Sequence, residues 1–191
     1  MGQVNDTLSA DQLVQALPNV TLRHWRPTVV RGIAVDSRKV QPGDLFVAIA
    51  GLSVDGHRFV AAALRAGAVA CCVERELPEL ENVPTAIVPN TREALAYLHA
   101  AWQGYPGRQL KVIGVTGTDG KTTTVRLITE ILQVAGHAVG RIDTVGASIA
   151  GQELDTGFHT TTPDAPELQS YFARMARERM EYAILETTSH G

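Results

Sequence analysis

Apolar positions along this chain fall into short runs that alternate with stretches of helical spacing. The runs at 28–35, 44–50, 68–73, 85–88 and 110–115 have strand length, and several carry almost no polar interruption, the pattern of strands covered on both faces. Between them, Ser9 with Gln12 forms a capping-box signal for a helix to about Leu17, with Leu8 and Leu13 as a staple and Pro18 as the stop. Residues 59–66 have helical spacing and end at Gly67, and Asn90 with Glu93 opens a helix to about Trp102. After a GYPG stretch at 104–107 the alternation resumes. The 110–115 run predicts a buried strand, and a helix over 121–135 follows, with Val125, Ile128, Ile131 and Leu132 as its core stripe. A strand at 139–144, a hairpin about Gly151, a helix at 165–179 and a strand at 182–185 complete the pattern.

This alternation predicts an α/β protein: a small N-terminal α/β domain over 1–107, then a P-loop-type parallel-sheet ATPase domain over 108–191. The residues after 107 leave room for three or four strands, where such a sheet normally has about five or more. The second domain is therefore expected to be incomplete and the chain a fragment.

Composition adds mainly exclusions. Hydrophobic content of 45% and charged content of 19% are those of an ordinary globular protein. A net charge of −3 without a Lys/Arg cluster gives no electrostatic footprint for nucleic acid, and sparse aromatics offer no stacking surface. No apolar run reaches about 18 residues and the N-terminus lacks a signal pattern, so a cytoplasmic protein with no membrane association is expected, as a monomer. Cys71 and Cys72 are adjacent within a strand, which points them to opposite faces as structural residues. His24, His57, His99 and His137 show no metal-ligand spacing.

The chemistry concentrates after the 110–115 strand. Gly117, Gly120, Lys121 and Thr122 follow it at the start of a helix. Glycines let backbone N–H groups turn toward a phosphate, the helix N-terminus adds unpaired N–H groups, lysine supplies a point charge and a hydroxyl can ligate Mg²⁺. The usual pattern puts its first glycine five places before the second; Val115 stands there, and the chain has the shorter Gly117-x-x-Gly120-Lys121-Thr122. Glu186 ends a strand at the edge where such sheets bind ligands, either as an Mg²⁺ ligand or as a solvated strand-end acid. The run Thr160, Thr161, Thr162 offers loop hydroxyls or an N-cap for the next helix. Asp36-Ser37-Arg38 either grips a ligand or caps a turn, and the turn is the simpler reading.

Four segments together resemble the Mur ligase family of peptidoglycan synthesis, most of all its MurE type: VDSRKVQPGDLFVAIAG, GVTGTDGKTTT, TTTPDAPELQ and LETTSHG, in the family's order. The family also uses Asn where this chain has Asp119, and Val-Ser-Ser-His where it has Thr187-Thr188-Ser189-His190. The resemblance implies an ATP-dependent ligase. It phosphorylates the carboxylate of a UDP-MurNAc-peptide and lets an amino acid's amine attack the acyl phosphate. By position, Gly117, Thr118, Asp119, Gly120, Lys121, Thr122 and Thr123 would bind ATP, with Lys121 and Glu186 catalytic and Thr122 and Glu186 on Mg²⁺. Val35, Ser37, Leu52, Ser53 and Val54 would meet the uridine diphosphate end, and Thr160, Thr161, Thr162 and Thr188 the MurNAc-peptide. Other family elements would lie beyond Gly191, so these residues alone are expected to bind without ligating. The alternatives are an NTP-binding regulatory module, a small-molecule kinase, or another Mur-like amide ligase such as a folylpolyglutamate or cyanophycin type; the DSR–PGDLFVA segment argues against folylpolyglutamate ligases.

Overall fold

The computed structural model describes residues 7–51, 54–154 and 163–188. It divides into two compact units, Val4–Trp102 and Gln103–Gly191.

The first unit runs β1 (Leu8–Ser9), α1 (Ala10–Val14), β2 (Thr21–Arg23), β3 (Val29–Val30), β4 (Gly32–Ala34), β5 (Asp44–Val47), α2 (Val60–Ala66), β6 (Ala70–Val73), β7 (Thr85–Ile87) and α3 (Thr91–Trp102). Its main sheet has the order β2-β7-β6-β5-β4, parallel except for β2. Leu45, Val47 and Cys72 pack with Leu13 of α1 and Leu98 of α3 on one face, while Phe46, Cys71 and Val73 pack with Val60 and Ala63 of α2 on the other. The adjacent cysteines thus serve opposite cores, and burial pushes both thiols up to about 12.

Ser9 forms the expected capping box with Gln12. The helix stops at Val14 rather than Leu17, because the chain tightens into i→i−3 bonds, Ala16 N to Leu13 O at 3.1 Å and Leu17 N to Val14 O at 3.0 Å. The 28–35 run divides between two sheets, β3 pairing with β1 and β4 with β5. β2 had no signal in the sequence because all three of its residues are exposed, which leaves no alternation to read.

The second unit runs β8 (Lys111–Val115), α4 (Lys121–Val134), β9 (Val139–Asp143), β10 (Gly146–Ile149), β11 (Gln152–Leu154), α5 (Ala165–Arg177) and β12 (Tyr182–Glu186). The sheet order is β11-β10-β9-β12-β8, with β9, β12 and β8 parallel and the β10–β11 hairpin antiparallel. α4 covers one face through Val125 against Val139 and Ile184; α5 covers the other through Phe172 and Met175 against Ile142 and Ala183.

Three expectations are corrected here. β8 is not buried on both faces: among the described residues it pairs only with β12, Ile113 and Val115 pack under α4, and Val112 on the opposite face is 43% exposed. Ile131 is 66% exposed, and the place it was given in the core stripe is taken by Thr129. At 100° per residue, 125, 129 and 132 stay on one face and 131 turns away; the Thr129 hydroxyl satisfies itself on the Val125 carbonyl at 2.8 Å. The N-cap of α5 is Asp164, which accepts from the Glu167 N–H at 3.0 Å, so the cap role open to Thr160–162 goes to a residue nearer the helix.

Candidate active site

β8 delivers the chain into the glycine loop at the C-terminal edge of the second sheet. Gly120 is the N-cap of α4 with φ +72°, a left-handed conformation that favours glycine, and a Cβ there would meet nothing within 4 Å. Among the described residues no side chain caps the helix, which leaves its first-turn N–H groups and the positive end of its dipole without a side-chain acceptor there. Thr118, Asp119 and Thr123 are exposed around it. The Lys121 ammonium folds back onto the loop, donating to the carbonyls of Gly117 at 2.9 Å and Thr118 at 3.3 Å. The lysine thus ties two carbonyls of the loop together through its ammonium.

β12 runs parallel to β8 with Glu186 opposite Val115, which brings the carboxylate to the start of the loop. Glu186 is only 2% exposed. One of its oxygens, Oε2, accepts the Thr122 hydroxyl at 2.8 Å and the Thr144 N–H at 3.2 Å. A buried carboxylate and a hydroxyl in contact beside a phosphate-type loop is a donor set that suits Mg²⁺, which takes few protein oxygens and completes its shell with phosphates and water. The strand pairing continues past Glu186: Thr187 donates to the Val115 carbonyl from its N–H at 2.9 Å and from its hydroxyl at 3.3 Å. That second bond gives a physical use for threonine where the family has valine. Thr188 is exposed just beyond.

In the first unit, Val35 and Ser37 directly follow β4, whose parallel neighbour β5 leads at the same sheet edge into the segment that carries Val54. Asp36 accepts the Arg38 N–H at 3.0 Å and pairs with its guanidinium at 2.7 Å, which holds the Asp36 carboxyl down at about 2. Asp36-Ser37-Arg38 is therefore a turn, with Val35 exposed beside it. Leu52, Ser53, Thr160, Thr161, Thr162, Ser189 and His190 lie outside the described residues.

The loop after β5 is pinned by a network the sequence did not suggest. Buried His57 meets Asp55 through Nδ1 at 2.6 Å and accepts the Glu74 N–H on Nε2 at 2.8 Å. Arg75 binds Asp55 at 2.6 Å, and its guanidinium with the His57 N–H holds the Asp55 carboxyl far below its usual range. At Gly56 a Cβ would lie 2.6 Å from the Ile49 carbonyl, so the loop closes tightly only on glycine. We expect His57→Leu to lower stability by about 1–3 kcal/mol, because the Glu74 N–H loses its acceptor inside the unit. Urea unfolding measures this, and a change within experimental error would rule out a pinning role.

Comparison with known proteins adds the deciding observation. Residues 29–103 match the profile "Mur ligase family, catalytic domain" and residues 115–191 match "Mur ligase middle domain", in that order. This chain belongs to the Mur ligase family. The UDP-N-acetylmuramoyl-L-alanyl-D-glutamate–2,6-diaminopimelate ligase of Syntrophomonas wolfei is 40% identical to this Mur ligase chain over 183 residues, 94% of the chain and 37% of the relative. A solved structure of a ligase of that name superposes with a TM-score of 0.70 at 29% identity, covering 97% of this chain and 37% of its own. The MurF ligase of Thermotoga maritima in complex with ADP superposes with a TM-score of 0.53 at 26% identity, covering 85% and 33%. The Mur ligase chain thus spans about a third of the length of these relatives.

Four residues of the two edges escaped sequence reasoning: Asp143, Thr144, His57 and Arg75. Thr144 acts through its backbone N–H, which no residue-type signal reveals. Each of the other three also needs a partner distant in sequence: Arg126 for Asp143, Glu74 for His57 and Asp55 for Arg75.

Proposed function

We propose that the protein is an ATP-dependent ligase of peptidoglycan precursor synthesis that joins an amino acid to a UDP-MurNAc-peptide. The observation that carries this reading most is the contact of Thr122 with buried Glu186 at the mouth of the glycine loop, in a chain with Mur ligase profiles along most of its length. The second unit would hold ATP, with the loop and α4 N–H groups on its phosphates and Lys121 on the β/γ-phosphates. Thr122 and Glu186 would hold Mg²⁺, which when bound neutralises phosphate charge. The substrate carboxylate attacks the γ-phosphorus, releasing ADP and forming an acyl phosphate. The amine then attacks the carbonyl and phosphate leaves, giving the amide.

The first unit would take the uridine diphosphate end at Val35, Ser37 and the loop 52–54; Thr160, Thr161, Thr162 and Thr188, which belong to the second unit's stretch of chain, would serve the MurNAc-peptide. Use of ATP suits a cytoplasmic location. Separate calorimetric titrations of the chain with an ATP analogue and with UDP-MurNAc-dipeptide test the assignment. We expect both to bind, and free UDP to compete with the second. Nucleotide binding without any binding of the UDP compound would favour a kinase or an NTP sensor instead.

A further inference from the structure

We propose that Asp143 is a positioning residue for the Glu186 carboxylate, acting through the turn between β9 and β10. The inference rests on the reading of Thr122 and Glu186 as the metal-nucleotide site. Asp143 ends β9 at the same sheet edge as Glu186, and its side chain is 1% exposed. Its Oδ1 accepts the N–H groups of Val145 at 2.8 Å and Gly146 at 3.2 Å. Its Oδ2 faces the Nε atoms of Arg126 at 3.4 Å and Arg141 at 3.3 Å.

The peptide N–H between these anchor points belongs to Thr144, and it donates to Glu186 Oε2 at 3.2 Å. That same oxygen accepts the Thr122 hydroxyl, and Arg126 stands one helical turn beyond Thr122 on α4. A ring therefore closes from α4 through Arg126, Asp143, the turn and Glu186, back to α4. Two donors on one oxygen fix the rotation of the carboxylate, and one of them is only as well placed as the turn that carries it. From the other side, a Cβ at Gly146 would lie 2.5 Å from the Leu154 carbonyl, so the turn has little room to find another shape. A turn alone does not require a buried charge, which costs free energy unless paired; here Arg126 and Arg141 both stand against it, and Arg126 ties it to α4.

Binding of a fluorescent ADP analogue, with Mg²⁺ and in EDTA, tests the proposal on the wild-type chain, Asp143→Ala, Asp143→Asn and Glu186→Gln. For Asp143→Ala we expect the Mg²⁺-dependent gain in affinity to shrink by about tenfold, the scale on which groups that orient metal ligands act, with the EDTA affinity unchanged. Asp143→Asn keeps an acceptor for the two turn N–H groups and recovers part of the gain. An Asp143→Ala chain with the full Mg²⁺ gain, or one that loses the EDTA affinity by the same factor, overturns the proposal. If Glu186→Gln loses the gain and Asp143→Ala does not, the positioning role alone fails. If the wild-type chain shows no gain, the metal-nucleotide reading fails with it. Should Asp143→Ala not fold by circular dichroism, Asp143→Ser decides: a partial loss supports the role and an unchanged gain overturns it.

Discussion

Lys121→Met is expected to weaken binding of ATP and ADP by about ten- to a hundredfold, the equivalent of the 1.5–3 kcal/mol of a hydrogen bond to a charged group. AMP should be affected far less, since it lacks the phosphates the lysine would reach. In the free protein the ammonium donates to the Gly117 and Thr118 carbonyls on a largely exposed loop, so water can replace it there at little cost when it moves. Methionine keeps the length and apolar stem of the side chain and removes only the charge and its donors. Part of the effect should fade with added salt, because the loop is exposed and screening is effective there. Calorimetric titration reads the change, and a variant that binds ATP as tightly as wild type would remove Lys121 from the phosphate site.

Glu186→Gln should act with opposite signs in the presence and absence of metal. With Mg²⁺, nucleotide affinity should fall by about ten- to a hundredfold, at least the range seen when groups that merely support a metal ligand are lost. In EDTA it should rise, because a carboxylate at the mouth of the loop repels phosphate charge and glutamine does not. Glutamine retains an oxygen that can accept from the Thr122 hydroxyl and the Thr144 N–H, so the fold should survive the change. The ratio of the two affinities is the diagnostic quantity. Equal losses under both conditions would mean that Glu186 is a structural anchor of α4 and not a metal ligand.

Much of this site was legible in the chain because its parts are local. Gly120, Lys121 and Thr122 are consecutive, and a strand-turn-helix reading places them correctly with no knowledge of the rest; α4 begins at Lys121 as the pattern requires. The capping box at Ser9 and the stop at Gly67 are equally local and equally visible. Assignments that depended on what covers a segment were weaker. An apolar run cannot distinguish a central strand from β8, which is paired on one side among the described residues. A helical stripe chosen for hydrophobicity included Ile131, yet the sheet lies under Thr129.

The sequence by itself determined the α/β class, the phosphate-type loop and the residue types able to serve it, because short-range periodicity and turn chemistry depend only on neighbours. It also carried the order of segments by which the family is known. Only the tertiary structure decided that Glu186 meets Thr122 across 64 positions of chain, that the Thr144 N–H reaches the same carboxylate from the turn after β9, and that His57 locks the loop after β5 to Glu74. Those contacts are set by strand order and register, which bring distant residues to one sheet edge and follow from the packing of the whole unit.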